Sequence, residues 1–142
     1  MAINDSPDKE RVTIILHSGA YDRAAYALSL ALVSLASGME VHMLLTFEGL
    51  LRFTRGHLLD RGEETSSKIR ASVDRGLASG GIQSLEAQLD NARKLGLKIY
   101  ACPNAMAILN IAQNELIEEV DSIMGLAAFL RLARTATINW YI

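Results

Sequence analysis

The sequence predicts an α/β domain: a mainly parallel five-stranded sheet flanked by helices in a three-layer sandwich. Three observations carry this expectation. Short apolar, β-branched runs recur along the chain, as strands buried on both faces do. Helical periodicities fill most intervals between them, which suits parallel strands joined by crossovers. Glycine or a capping residue stands at several of the junctions.

The elements follow in order. Val12 to His17 is a continuous apolar run and the expected first strand. After the Ser18-Gly19-Ala20 turn, Asp22 is placed to cap a helix in which Ala25, Leu28, Leu32 and Leu35 share a face and Gly38 supplies the stop. Val41 to Thr46 reads as a second buried strand. From Thr54 to Gly81 the pattern fails, with charges, serines and glycines consistent with a lid, a pair of short helices or an oligomer contact. Ser84 caps the next helix, Leu85, Leu89 and Ala92 face inward, and Gly96 ends it. Leu97 to Ala101 is the third strand, and a helical turn starts at Cys102-Pro103. After Asn110 a second short helix containing Leu116 and Ile117 is expected, then a brief strand near Ser122 to Met124. A last helix should turn Leu126, Phe129, Leu130 and Ala133 inward and deliver Thr137 to Ile142 as the closing strand.

The 142 residues suit one domain, residues 1–142, and half of them are hydrophobic, enough for a real core. Fourteen Lys and Arg against sixteen Asp and Glu give a net charge of −2 without a basic stripe, which argues against nucleic acid as a partner. Met1 to Arg11 is polar, with Asp5, Asp8 and Glu10, unlike an export signal. Ala24 to Met39 is too short, and too broken by serines, to span a bilayer. The expectation is a cytoplasmic protein without a membrane span, whose single cysteine stays a free thiol.

Ligands of open parallel sheets collect beyond the carboxyl ends of the strands, which singles out Ser18, Phe47, Cys102 and Gly125. Cys102 is the candidate catalytic residue. Pro103 suits the first position of a helix, which makes Cys102 the N-cap, where free N–H groups and the helix dipole favour an anionic sulfur. The competing reading is a small buried hydrophobe. His17 lies near Cys102 only if their strands are neighbours, and is otherwise a core histidine. Ser18 and Tyr21 belong to a turn that suits an anion at a helix start, or a plain cap. Phe47 and Asn104 join them as candidate binding residues. His42 and His57 are too far apart to suggest a metal site, and Glu48, Arg52 and Arg55 follow the second strand, where the arginines either attract anionic sulfur species or, the reading preferred, form a solvated face. Gly-x-Gly-x-x-Gly, phosphate-loop, Cys-x-x-Cys and His-Glu-x-x-His signatures are absent, so no cofactor and no metal are expected.

Taken together, Lys98-Ile99-Tyr100-Ala101-Cys102, Met106, Glu115-Leu116-Ile117, Ala127-Ala128-Phe129-Leu130 and a Thr46-Phe47-Glu48-Gly49 loop after the second strand resemble the DsrE/DsrF/DsrH-like superfamily, within it the DsrE2/DsrE3-type small proteins. The resemblance covers nearly the whole chain and is most specific from Gly81 to Ile142. It implies a sulfur carrier or sulfurtransferase that holds a persulfide or thiosulfonate on Cys102. It also implies partners such as TusA-like or rhodanese-like relay proteins, small species such as thiosulfate or polysulfide, and homo-oligomers or hetero-oligomers. With one cysteine, any transfer must end on another molecule. The chain departs from some relatives in the polar Gly56 to Gly80 stretch. The alternatives are a non-catalytic oligomeric or small-anion-binding subunit and, more remotely, a flavodoxin-like nucleotide binder.

Overall fold

A computed structural model describes residues 9–142; the polar residues before them, Asp5 and Asp8 included, lie outside the described residues. The predicted strands are present as β1 (Arg11–Leu16), β2 (Glu40–Leu45), β3 (Lys98–Ala101), β4 (Ser122–Ile123) and β5 (Ile138–Tyr141). They form one sheet in the order β4-β3-β2-β1-β5, and every pair is parallel. Six helices connect them: α1 (Tyr21–Ala36), α2 (Phe47–Arg52), α3 (Ser67–Ser79), α4 (Leu85–Lys94), α5 (Pro103–Leu109) and α6 (Leu126–Arg134).

Strand order settles the layers. Successive strands β1 to β4 step in one direction, whereas the β4 to β5 connection returns across the whole sheet. With right-handed crossovers, a reversal of direction puts the connecting helix on the opposite face. Accordingly α6 packs over β1 on the face that carries Thr13 and Ile15, while α1 and α4 pack together on the other. There Val12, Ile14, Leu16, Val41, Met43 and Leu45 are at most 1 % exposed.

The buried stripe of α1 is Ala24, Ala27, Leu28 and Ala31, with Ala25, Leu32 and Leu35 only flanking it, so of the predicted face Leu28 alone is fully buried. Packed on the sheet with α4 beside it, this helix turns small side chains inward; Gln88 of α4 donates to Ser29 Oγ at 3.1 Å across the seam. Asp22 does not cap α1. The N-cap is Ala20, whose side chain has nothing to offer, and the first turn is satisfied from elsewhere in the chain.

Four further expectations are corrected. Phe47 is not in a loop but opens α2 one residue after β2, with φ 46°. The segment that lacked a pattern holds one helix, α3, capped by Ser66 and closed by Gly80 at φ 74°, rather than a pair of short helices. Leu116 and Ile117 lie outside any helix: a 3-10 turn covers Gln113–Glu115, and Leu116 bridges antiparallel to Thr54. On α6 only Phe129 is fully inward; Leu126 and Leu130 are 60 % and 58 % exposed. The last difference is instructive, since periodicity identifies an apolar face but not whether the same chain covers it.

Gly49 lets α2 lie against the end of β1. Its N–H donates to His17 O at 3.0 Å, and an added Cβ would overlap the Leu16 carbonyl. Gly49→Ala should therefore cost about 1–3 kcal/mol, as overpacking does. Urea unfolding checks this; an unchanged midpoint would mean that α2 is free to shift.

Candidate functional site

A parallel sheet delivers all its carboxyl ends to one rim, and the candidate residues lie along it. From β4 towards β5 the rim presents Gly125, Cys102, Thr46 with Phe47, His17 with Ser18, and finally Ile142, which accepts the N–H groups of both His17 and Ser18.

Cys102 follows β3 directly. Its N–H donates to Leu45 O at 3.0 Å, continuing the sheet, and its carbonyl accepts from Met106 N–H at 3.0 Å, starting α5. By backbone geometry it is the N-cap, with Pro103 in the first turn as predicted. The thiol makes no capping hydrogen bond, however, and the residue is only 3 % exposed within the hydrophobic core cluster. It lines neither of the two principal cavities. Pro103 and Asn104 beside it are exposed.

His17 does not join Cys102. β2 lies between their strands, so two strand spacings, about 10 Å, separate the backbones. Its ring instead lies 5.1 Å from that of Phe47 and 5.8 Å from that of Tyr141, centroid to centroid. The left-handed conformation of Phe47 is uncommon for an aromatic residue and costs on the order of 1–2 kcal/mol. It accompanies a connection of one residue, Thr46, between β2 and α2.

Ser18 and Tyr21 are engaged by a segment that sequence patterns did not single out. Ser18 Oγ donates to one oxygen of the Glu64 carboxylate at 2.7 Å, and Gly19 N–H donates to the other at 3.2 Å. Thr65 Oγ1 accepts from Tyr21 N–H at 2.9 Å. The start of α1 thus receives its carboxylate and hydroxyl from residues more than forty positions away. Arg52, expected on a solvated face, is 4 % exposed. Its guanidinium donates to the carbonyls of Leu58 (2.8 Å), Asp60 and Gly19, while Nε has no partner. The Tyr21 ring lies between Arg52 and Arg61, whose guanidinium carbons are 5.5 and 5.1 Å from its centroid. Residues 57–66 form a strap tied down over the β1–α1 turn. Gly62, at φ 82°, packs so closely on the Gly19 carbonyl that a side chain would not fit. That glycine was the sole local signal of the strap.

Between the strap, α2 and the end of α5 lies a cavity of about 470 Å³, lined among others by Glu48, Arg52, Glu63, Asn110 and Glu115. Glu48 and Glu64 act as a pair. Glu48 is held above the usual carboxylate range, first by its hydrogen bond to Glu64, then by burial and by the charges of Glu64 and Glu63. Glu64 is held below it, first by that same bond, then by Ser18, Gly19 N–H and the charge of Arg23. One proton shared between two carboxyl groups explains both directions. Among the described residues no group of three or more His, Cys, Asp and Glu is placed to hold a metal ion.

An all-parallel α/β sandwich with a lone free cysteine heading a short helix at the strand ends defines a recognisable class of small protein. The family model of the DsrE/DsrF/DrsH-like family matches residues 63–141, and the chain belongs to that family. It is 26 % identical to the uncharacterized protein YrkE of Bacillus subtilis (strain 168), over 94 % of this chain and 97 % of that one. The crystal structure of the ychN protein from E. coli has a similar fold: TM-score 0.66 at 14 % identity, covering 95 % of this chain and all of that one. MTH1491 from Methanobacterium thermoautotrophicum is a protein of unknown function; its fold matches with TM-score 0.59 at 15 % identity, over 93 % and 99 % of the two chains. At these identities the structural likeness concerns the fold.

The carboxyl pair sets a pH dependence. Glu48, with its raised value, favours the native state at lower pH and loses that contribution as pH rises through the raised value. Glu64, with its lowered value, loses its contribution as pH falls through the lowered one. The strap should hold best between the two values and loosen on both sides. Urea midpoints of wild type and Glu48→Gln between about pH 3 and 7 check this. The variant, whose amide always donates, should lack the decline on the upper side; superimposable profiles would contradict the pairing.

Proposed function

We propose that this protein is a sulfur carrier of the relay type, holding sulfur on Cys102 and passing it to a partner thiol. Membership of the DsrE/DsrF/DrsH-like family suggests a sulfur-relay role at family level. The observation that carries the reading is the place of the one cysteine, at the carboxyl end of β3 and the head of α5. In the loading step the Cys102 thiolate attacks the outer sulfur of thiosulfate, that S–S bond breaks, sulfite leaves with the electron pair, and a cysteine persulfide remains. A partner thiolate then attacks the terminal sulfur, and Cys102 departs as thiolate. No second thiol of this chain takes part.

The 3 % exposure of Cys102 sets a condition: the thiol reacts from a conformation in which α5 has moved outward. Asn104, exposed in the first turn of α5, and Phe47 and His17 along the rim are the proposed contacts for the incoming group, whereas Ser18 and Tyr21 serve through the strap. A cytoplasmic setting fits a free thiol. No helix among the described residues is long and apolar enough to cross a membrane. TusA-like or rhodanese-like proteins are the proposed exchange partners.

A homo-oligomer is the proposed assembly. Its support is the apolar groove of about 360 Å³ between α6 and edge strand β5, floored by Phe129 and flanked by exposed Leu126, Leu130 and Tyr141. Apolar surface of this kind on a small protein marks an interaction site. The same groove, with the buried cysteine, favours a second reading, a non-catalytic interaction subunit.

Incubation with thiosulfate, tetrathionate or polysulfide followed by intact mass separates the two. The relay reading predicts a gain on wild type of about 32 Da per sulfur from thiosulfate or polysulfide, and of about 112 Da from tetrathionate, whose thiosulfate half leaves while –S–SO3⁻ stays on the cysteine; both are reversed by dithiothreitol and absent from Cys102→Ser. A wild-type mass that stays unchanged over hours would leave the interaction subunit. Leu130→Glu should reduce the sedimenting mass to that of one chain, because a charge in the groove is left without a partner; a multimer that persists would place the contact elsewhere.

A further inference from the structure

We infer that the strap of residues 57–66 is the clasp that keeps Cys102 covered, and that releasing Glu64 from the β1–α1 turn is what lets α5 open. The inference rests on the relay reading only in supposing that the thiol must be reached.

Cys102 heads α5, and Ala105 and Met106 in the first turns of that helix are buried in the same core cluster. Only seven residues long, α5 packs against α2. Its continuation is sewn to the chain that leads from α2 into the strap. Thr54 bridges Leu116, Arg55 N–H donates to Glu115 O at 2.8 Å, Ile117 N–H to Phe53 O at 3.0 Å, and Arg55 Nε to Asn114 O at 3.0 Å. The strap is in turn pinned at its far end by Glu64 on Ser18 and Gly19 and by Thr65 on Tyr21 N–H, with Arg52 holding its middle. Residues 54–65 are therefore tied at one end to the segment that follows α5 and at the other to the head of α1, with the covalent chain as the link between.

The cavity gives that stretch somewhere to move. It separates strap residues Asp60, Gly62 and Glu63 from Leu109, Asn110 and Ile111 at the end of α5, so these two walls face each other across empty space rather than a packed core. Asn110, left-handed at φ 53°, is the natural hinge between α5 and the sewn segment. The latch is the exposed part of the arrangement: Glu64 is solvent-accessible, and its contacts are polar. Contacts of this kind define regions that open below the free energy of global unfolding.

The test is the rate at which iodoacetamide alkylates Cys102 in the folded protein. Glu64→Ala should raise it roughly tenfold, the order expected for losing a hydrogen-bonded charge from a local clasp. Ser18→Ala, which removes one of the two bonds to Glu64, should raise it less. Ser84→Ala, which uncaps α4 away from the strap, should leave it within about twofold although it lowers stability. Equal rates in wild type and both strap variants, or the same acceleration in Ser84→Ala, would overturn the clasp. If Glu64→Ala does not fold, Ser18→Ala and Thr65→Val, which removes the oxygen that accepts from Tyr21 N–H, carry the same test. Alkylation reads access alone: a strap-independent rate removes the clasp and leaves the relay, whereas strap-controlled access without sulfur loading removes the relay and leaves the clasp.

Discussion

A guanidinium taken out of water must be answered by dipoles, and the carboxyl end of this sheet is arranged around that requirement. Arg52 is 4 % exposed and donates to three carbonyls rather than to a carboxylate. Burial pulls its affinity for the proton downward, and the nearby charge of Asp60 opposes the pull. The carbonyls belong to the β1–α1 turn and the strap, while the arginine closes α2, so one side chain ties together three pieces that the sheet alone leaves apart. Removing it would strand those carbonyls, and buried polar groups without partners are costly.

The frame of the protein was legible in its sequence because it obeys local rules. Strands buried on both faces read as apolar runs, and Ser84, Gly96 and Cys102-Pro103 mark helix ends where the structure has them. What escaped depends on contacts between distant residues. Nothing near Glu64 announces that it serves Ser18, and nothing near Arg52 announces that it is buried; such pairings have no period to detect. α2 was hidden for another reason: it is six residues long and starts on an aromatic residue in a left-handed conformation, against the preference of that residue type. On α6 the apolar stripe was found but its cover was assumed, and Leu126 and Leu130 face outward.

The candidate site was legible in the same measure. Cys102 stands where strand end and helix start coincide, as expected, but periodicity carries no information on depth, and the sulfur lies inside the core cluster. His17 was conditional on strand order, and the order places β2 between it and Cys102. The anion cradle at Ser18 is real as geometry and already filled by the protein's own carboxylate.

The proposed relay requires that Cys102 be reached by a local movement of α5, not by unfolding of the sheet. The most direct measurement is the urea dependence of its alkylation rate, compared with the urea dependence of global unfolding. Because the slope scales with the surface exposed, local opening predicts a rate that scarcely changes at low urea, with a slope well under half the global value. A slope equal to that of global unfolding would mean that the thiol is a core atom with no entrance, and the relay would lose its nucleophile.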